Sequence, residues 1–166
     1  MPFIGTDMLT QKLDFRLTCA FTGHRNIAEK DRKMLEEKLD ILLPELAEKG
    51  VERFICGCAL GFDTLAAQAV LRLKEKHNVF FELALPCKDQ TLKWNEKQKA
   101  EYNRIKERAD RVNVLFDKYV TGCMQFRDAF MVDNSDILIS YYRGRPGGTQ
   151  YTYLYAENRG LKIIRL

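Results

Sequence analysis

Short apolar segments alternate with longer amphipathic segments along almost the whole chain, and this alternation limits the folds that the sequence can adopt. The apolar segments have the length of β-strands and recur about every twenty-five residues. Their predicted bounds are 17–21, 53–56, 79–85, 111–116, 136–141 and 162–165. Regular alternation of strands and helices predicts an α/β fold, a Rossmann-like three-layer sandwich with a mainly parallel sheet.

The segments between the predicted strands have helical patterns. The first, 28–49, places leucines at one helix face and contains Pro44, which should kink the helix or split it in two. Asp63 or Thr64 is the predicted cap of the second helix. The third predicted helix, 91–108, is so rich in Lys, Glu and Gln that it should lie on the surface. Two further helices are predicted at 122–132 and 149–158.

Length and composition predict a single soluble domain, residues 1–166, in which 1–16 form an N-terminal extension. The net charge of +4 comes from mixed charges, so it permits nucleic acid as a partner without arguing for it. No apolar run is long enough to span a membrane, and the first residues lack an apolar signal core, so a cytoplasmic location is expected.

The five cysteines are odd in number, and no two have the C-x-x-C spacing of a zinc or redox site. Buried free thiols in a reducing compartment are therefore expected. Cys56 and Cys58 lie beside a glycine loop, which leaves a reactive thiol open as the alternative.

Residues 143–149, Arg-Gly-Arg-Pro-Gly-Gly-Thr, connect a predicted strand to a predicted helix. Gly147 and Gly148 allow a ligand to approach the backbone, and the helix start offers unpaired N–H groups, with Thr149 adding a hydroxyl. Arg143 and Arg145 would add positive charge. The segment is interpreted as a phosphate-binding loop, and an ordinary glycine-rich turn is the alternative.

Three loops with unusual residues each follow the end of a predicted strand: 22–25, 57–63 and 143–149. In a parallel sheet the carboxyl ends of the strands meet at one edge, where the binding crevice forms. The sequence therefore predicts that these three loops surround one anion-binding site.

Familiar nucleotide motifs are missing from these loops. The first loop contains Gly23 alone where a dinucleotide fingerprint needs Gly-x-Gly-x-x-Gly, and no Gly-Lys-Ser/Thr step of a Walker loop occurs. His24 and His77 are the only histidines, so a histidine metal cluster is not expected. No metal and no required cofactor are predicted.

Several polar residues near the loops have more than one predicted role. Arg25 would bind a phosphate as a fork or lie unpaired on the surface. Asp63 would accept from a ribose hydroxyl, orient a loop amide or cap a helix. Arg127 and Asp133 would either face the crevice or pair with a neighbour, and the sequence leaves that choice open.

The loop motifs resemble those of the SLOG superfamily, most closely its YpsA-type branch of small single-domain proteins. The matching segments are 22–25 (Thr-Gly-His-Arg), 57–67 (Gly-Cys-Ala-Leu-Gly-Phe-Asp-Thr-Leu-Ala-Ala), 127–142 and 146–149 (Pro-Gly-Gly-Thr). The resemblance covers about 17–166 and implies a Rossmann-like sheet, a homodimer, and a site for a nucleotide or derivative such as ADP-ribose or an NAD-related molecule.

Related proteins suggest two other functions. The cytokinin-activating phosphoribohydrolases cleave a nucleotide N-glycosidic bond with a glutamate after a Pro-Gly-Gly-x-Gly-Thr motif, but Tyr151 and Thr152 occupy the corresponding positions here. Glu82 and Asp133 remain as weak candidates for a catalytic acid. The DNA-processing protein A family binds single-stranded DNA, but this chain lacks a basic stripe with interleaved aromatics, so nucleic acid is an unlikely partner.

The favoured prediction is a nucleotide-binding or nucleotide-sensing domain, with a nucleotide N-glycosidase as the alternative and a single-stranded DNA-binding module third. The predicted ligand-binding residues are Thr22, Gly23, His24, Arg25, Gly57, Ala59, Gly61, Asp63, Arg127, Gly147, Gly148 and Thr149.

Overall fold

The computed structural model describes residues 15–166, which form one six-stranded sheet with helices on both faces. Residues 1–14 of the predicted N-terminal extension lie outside the described part. The strands are β1 (Leu17–Gly23), β2 (Val51–Cys56), β3 (Phe80–Cys87), β4 (Arg111–Phe116), β5 (Ile137–Tyr141) and β6 (Lys162–Arg165). The helices are α1 (Glu29–Glu48), α2 (Phe62–Lys74), α3 (Glu96–Arg108), α4 (Cys123–Asp133) and α5 (Gly148–Asn158).

The strand order is β4-β3-β2-β1-β5-β6, and every neighbouring pair is parallel. From β1 the chain moves outward to β4 and then crosses back to β5, on the other side of β1. The neighbours β1 and β5 are therefore the point at which the strand order reverses. This arrangement confirms the predicted three-layer α/β fold with a parallel sheet.

Alternate strand residues face opposite layers, as the two-residue period of a strand requires. Phe21, Phe54 and Phe81 point into the larger core, where they pack against buried leucines of α1 and apolar residues of α2 and α3. Ala20 and Ile55 point into a smaller core under α4 and α5. Because both faces are covered, the central strands are almost continuously apolar.

Two predicted helix features differ from the structure. α1 runs without interruption through Pro44, so of the two predicted effects, a kink or a split, the split does not occur. α3 begins at Glu96 rather than near residue 91, because Asn95 and Gln98 form a reciprocal capping box that fixes its start. Its face is not wholly exposed either, since Tyr102 and Ile105 are buried.

Three helices that border the predicted site begin at glycines rather than at polar caps, and Gly122 is the N-cap of α4. Gly61 is the N-cap of α2, and Gly147 is the N-cap of α5. The predicted capping role of Asp63 or Thr64 is therefore wrong: the Asp63 carboxylate accepts from the Ala59 backbone N–H at 3.1 Å, and Thr64 donates to the Ala59 carbonyl.

All five cysteines are unpaired and buried. Burial raises the pKa of the Cys58 thiol to about 12, with the charge of Asp63 acting in the same direction. This thiol therefore stays protonated near neutral pH and is a poor nucleophile, which argues against the alternative of a reactive cysteine in the loop after β2. Across residues 15–166, no helix has both the length and the apolar character that a membrane span requires.

Candidate functional site

A cavity of about 380 Å³ opens at the carboxyl edge of the sheet, between the ends of β1 and β5. We call it the switch-point cavity, because ligands of open α/β sheets bind where the strand order reverses. The three loops predicted to converge do meet around it. It is lined by Phe21, Thr22, Gly23, His24, Arg25, Ala59, Asp63, Met124, Gln125, Arg127, Asp128, Met131, Pro146, Gly147, Gly148 and Thr149.

The amino terminus of α5 forms one wall of this cavity. Among the described residues no side chain caps this terminus, so the N–H groups of its first turn are left for water or a ligand. A Cβ atom at Gly147 would meet nothing within 4 Å, and one at Gly148 would meet only the Asp128 carboxylate, at 3.8 Å. A ligand can thus approach this backbone closely.

The opposite wall contains a buried guanidinium. Arg127 on α4 donates through Nε to the Asp128 carboxylate at 2.7 Å and through Nη1 to the Gly57 carbonyl at 2.8 Å. Gly57 was predicted to bind the ligand, but it does not line the cavity. It lies beneath Arg127, and any Cβ there would come within 2.5 Å of Nη1, so glycine is needed to seat the arginine.

Asp63 is a buried carboxylate in the same cavity. Burial raises the pKa of the Asp63 carboxyl to about 6, and Asp128 adds to the increase. The positive charge of Arg127, the hydrogen bond from Ala59 and the charge of Arg25 act in the opposite direction. Asp63 therefore changes its protonation close to neutral pH, and with it the charge of the cavity.

His24 fastens the loop after β1 to the loop after β5. Its Nε2 accepts from the backbone N–H of Arg143 at 2.8 Å, which places the proton of the neutral ring on Nδ1. Burial, followed by the charges of Arg145 and Arg143, lowers the pKa of this imidazole. His24 is thus held neutral as an acceptor, and its function here is to position the two loops.

Arg143 and Arg145 add positive charge near the cavity, since both lower the pKa of His24, but their guanidinium groups lie outside it. The Arg143 guanidinium lies 4.6 Å from the centroid of the Tyr141 ring and donates to the Leu166 carbonyl, and Arg145 donates to the Asn26 carbonyl. Neither side chain lines the switch-point cavity, because the loop turns both outward.

Arg25 is the exposed cation at the mouth of the cavity. Within residues 15–166 its side chain makes no hydrogen bond or ion pair. Gly61 supports it from below: with φ of +83°, a Cβ there would lie 2.0 Å from the Arg25 carbonyl oxygen. Gly61 was predicted to bind the ligand, but it does not line the switch-point cavity. Its lack of a side chain lets the two loops touch instead.

The two weak catalytic candidates lie elsewhere. Glu82 is buried in the amino-terminal half of β3, where Arg53 pairs with it at 3.1 Å and Asn113 donates to it at 2.7 Å. Asp133, at the end of α4, accepts from Tyr155 at 2.9 Å and pairs with Arg159 at 3.2 Å. Neither carboxylate lines the cavity, so neither can act on a ligand bound there.

Sequence reasoning missed Asp128, which is buried and lies beside Gly148. Neighbouring positions of a helix do not normally share a face, so Asp128 was not grouped with Arg127. The sequence feature that could have indicated Asp128 is its position in motif 127–142, next to Arg127 and directly before the apolar end of α4. In residues 15–166, no three carboxylate, imidazole or thiol side chains come together as a metal site would need.

The fold and the cavity define a Rossmann-like α/β protein with a glycine-rich helix start at its switch point. Residues 19–162 match the model of YpsA, described as the YspA SLOG family. The chain is also 36% identical to the uncharacterised SPbeta prophage-derived protein YoqJ of Bacillus subtilis, over 137 residues that cover 74% of this chain and 80% of YoqJ. It belongs to the YpsA family of the SLOG superfamily, which confirms the resemblance seen in its motifs.

Two solved structures share this fold. DNA processing protein A (DprA) of Streptococcus pneumoniae has a TM-score of 0.65 at 15% identity and covers 90% of this chain, which spans 50% of that chain. DprA of Helicobacter pylori, whose structure was described with its single-stranded DNA binding mode, has a TM-score of 0.63 at 18% identity. It covers 97% of this chain, which spans 68% of it. At these identities the likeness is one of fold.

Proposed function

We propose that the protein binds or senses a nucleotide or nucleotide derivative, with a phosphate held in the switch-point cavity. The observation that carries this proposal is the uncapped amino terminus of α5, which faces the cavity with two open glycines. Backbone N–H groups and the positive end of the helix dipole are the usual partners of a phosphate at such a site. Thr149 adds a hydroxyl in the same turn.

Charge distribution supports a nucleotide over a simple anion. Arg25 and Arg127 are balanced by Asp63 and Asp128, so the walls carry little net charge when both carboxyls are ionised. The phosphate would be held by N–H groups and Arg25, while the two carboxylates would accept from ribose hydroxyls.

The affinity should be moderate. Two or three charge-assisted hydrogen bonds contribute roughly 1.5–3 kcal/mol each, against an association cost on the order of 4–15 kcal/mol. A nucleotide that also makes base and ribose contacts would reach about micromolar affinity, while inorganic phosphate would bind far more weakly.

The first test is calorimetric titration with AMP, ADP-ribose and NAD, repeated with Gly148→Asp. A carboxylate at this position would occupy the place of the phosphate and face Asp128, so we expect binding to fall at least about a hundredfold. Gly148→Ala is the matched control: its methyl group has room and no charge, so most of the affinity should remain. Equal affinity of the aspartate variant and the wild type would contradict the proposal.

A second pair of variants tests the phosphate cation. Arg25→Ala should lower nucleotide affinity about tenfold, because it removes a charge-assisted hydrogen bond. Arg145→Ala removes an equal charge from a neighbouring loop, but the Arg145 side chain lies outside the cavity. This variant should therefore change nucleotide affinity by no more than about twofold. A similar loss in both variants would mean that general charge, rather than this site, attracts the ligand.

A second candidate function is hydrolysis of a nucleotide N-glycosidic bond, and the position of Asp128 favours it. This carboxylate lies beside Gly148, where a bound ribose phosphate would place its sugar nearby. In the reaction, the bond from C1′ to the base nitrogen breaks, water supplies the hydroxyl to C1′, and its other proton goes to the departing base. Asp128 would stabilise the positive charge that develops on the sugar.

Incubation with AMP or NAD, followed by chromatography for released base, decides between binding and hydrolysis. If the protein is a hydrolase, Asp128→Asn should stop base release while the nucleotide still binds. If wild type releases no base, binding alone remains as the function.

Two partners complete the proposal. The calorimetric titrations should include a single-stranded oligonucleotide, because DprA of Helicobacter pylori shares the fold and binds single-stranded DNA. The prediction that nucleic acid is an unlikely partner is tested directly in this way.

We also propose a homodimer, as the family resemblance implies. Tyr151 and Leu154 leave 38% and 52% of their surfaces exposed on α5, and light scattering would give the mass.

A further inference from the structure

A second cavity, of about 410 Å³, lies at the same edge of the sheet on the far side of Arg25. We call it the α3 cavity, because Trp94, Lys97 and Glu101, from α3 and the turn before it, form one of its walls. The other walls come from the start of α1 and from α2. No predicted function was assigned to this region, whose lysines and glutamates were interpreted as a solvated helix face.

Two backbone segments, 24–25 and 61–62, contact each other next to Arg25, which lines both cavities. The Phe62 N–H donates to the His24 carbonyl at 3.2 Å, and the missing side chain of Gly61 lets its Cα approach the Arg25 carbonyl. Arg25 is the residue that the linings of the two cavities share. A ligand phosphate lying over this ridge would therefore meet an exposed guanidinium from either side.

The α3 cavity contains an aromatic surface. Trp94 is half-buried, and its ring packs edge-to-face on Tyr102 with centroids 5.4 Å apart. Tyr102 is buried beneath it, so the indole is supported from behind while part of it remains accessible at the cavity. A fixed, half-exposed indole is the usual stacking partner of a nucleic base.

The same cavity carries uncompensated positive charge. In the described part of the chain, Arg32 and Lys97 are exposed and form no ion pair. The one acid of the lining, Glu101, is already neutralised, since it accepts from Arg104 at 2.7 Å and from Gln68 at 2.9 Å. Unlike the switch-point cavity, the α3 cavity therefore has a net attraction for anions.

We propose that the α3 cavity is a second nucleoside subsite, so that the ligand filling both cavities is a dinucleotide whose bridging phosphates lie across Arg25. One bridging phosphate would lie at the α5 amino terminus and the other would contact Arg25, while the second base would stack on Trp94 and Lys97 would add positive charge that attracts the bridge. This inference rests on the proposed function of the switch-point cavity and adds the class of its ligand.

The test compares NAD with AMP, which is one of its halves, by calorimetry. In the wild type we expect NAD to bind about fivefold to a hundredfold more tightly than AMP, which is the range that one added base stack supplies. Trp94→Ala should remove this advantage and leave the affinity for AMP unchanged. Trp94→Phe keeps an aromatic ring against Tyr102 and should retain part of the advantage, which guards against a variant that folds poorly.

Charge provides an independent comparison. Lys97→Glu should weaken NAD binding about tenfold, while Lys93→Glu, which makes the same charge change outside the cavity lining, should leave NAD affinity within about twofold. Salt should reduce the difference between the two variants, as it does for exposed charges.

The possible results separate this inference from the function on which it rests. AMP binding with no gain for NAD, or equal losses for AMP and NAD in Trp94→Ala, would overturn the second subsite alone. Absence of binding by both AMP and NAD would overturn the proposed function and the subsite with it. A single-stranded oligonucleotide that binds more tightly than NAD and depends on Trp94 would replace the dinucleotide by a nucleic acid.

Discussion

Asp63 can change the charge of the switch-point cavity near neutral pH, because its buried carboxyl has a raised pKa. Burial raises the pKa of this carboxyl from 3.8 to about 6, even though Arg127 opposes the increase. Asp63 is therefore ionised in most molecules at pH 7.5 and protonated in most at pH 5. Its protonation would leave Arg25 and Arg127 opposed by Asp128 alone.

The raised pKa of Asp63 has a measurable effect on stability. Because the folded state binds this proton more tightly than the unfolded chain, its contribution is complete below about pH 4 and is lost as the pH rises through 6. Relative to Asp63→Asn, the wild type should lose up to about 3 kcal/mol in its free energy of unfolding between pH 4 and pH 8. Urea denaturation of both proteins at a series of pH values measures this difference.

Because His24 also titrates, the measured quantity should be the difference in unfolding free energy between the wild type and Asp63→Asn at each pH. Burial lowers the pKa of its imidazole, so His24 contributes stability that is lost as the pH falls, which is opposite in sign to Asp63. Both proteins contain His24, so its effect cancels between them. A difference in unfolding free energy that does not vary with pH would show that the carboxyl of Asp63 titrates as it does in the unfolded chain.

Among the helices, α1 combines a long apolar stripe with an interior proline. Leu35, Leu39, Leu43 and Leu46 are buried along one face, and this packing keeps the helix continuous through Pro44. Tertiary packing has thus overridden a local signal that costs roughly 3 kcal/mol in an isolated helix interior.

Replacing this proline should stabilise the protein. Pro44→Ala restores an N–H that can donate to the Asp40 carbonyl, and the greater freedom of the unfolded chain offsets part of the gain. We expect the free energy of unfolding to rise by about 1–2 kcal/mol, measured by urea denaturation. Glu45→Ala, on the exposed neighbouring position, should change it by less than about 0.5 kcal/mol. A destabilised Pro44→Ala protein would mean that the proline ring itself fills a needed space.

The order of the strands and helices was predictable, because the periodicity of apolar residues and the length of each segment suffice to identify them. All six strands occur where apolar runs were predicted, and β4 and β6 have the predicted bounds. Helix starts were less predictable, because several polar residues compete for each cap. For Asp63 the predicted roles included a helix cap and the orientation of a loop amide; its carboxylate accepts from the Ala59 amide, because Gly61 has already begun the helix.

The candidate site was predictable only as far as topology determines it. The meeting of three loops follows from the parallel sheet, and no side-chain detail was needed to infer it. Side-chain direction in the loops was not available from sequence, so the bonds of Arg143 and Arg145 to the Leu166 and Asn26 carbonyls could not be predicted. Asp128 was missed because its place beside Gly148 depends on how α4 packs against α5.

Taken as a whole, the molecule has one buried ion pair, Arg127–Asp128, at the cavity edge of the sheet and another, Arg53–Glu82, away from that edge along the strands. The cavities lie at the carboxyl edge, whereas Glu82 lies in the amino-terminal half of the sheet. Arg53 donates to Glu82, to the Thr18 hydroxyl at 2.9 Å and to the Asn134 carbonyl at 2.7 Å, and so ties three strands to the end of α4. Because these groups are mutually satisfied, their role is structural.

If Glu82 has a structural role, its replacement should change the stability of the protein and not its activity. Glu82→Gln would leave the largely buried Arg53 without its countercharge, so the free energy of unfolding should fall by roughly 3 kcal/mol. Nucleotide affinity and any base release, per folded molecule, should stay at wild-type values. Asp133→Asn breaks an exposed pair and should cost less than about 1 kcal/mol, also without an effect on the site. If either variant kept its stability but lost activity, that carboxylate would act on the ligand, and the ligand would have to lie outside the switch-point cavity.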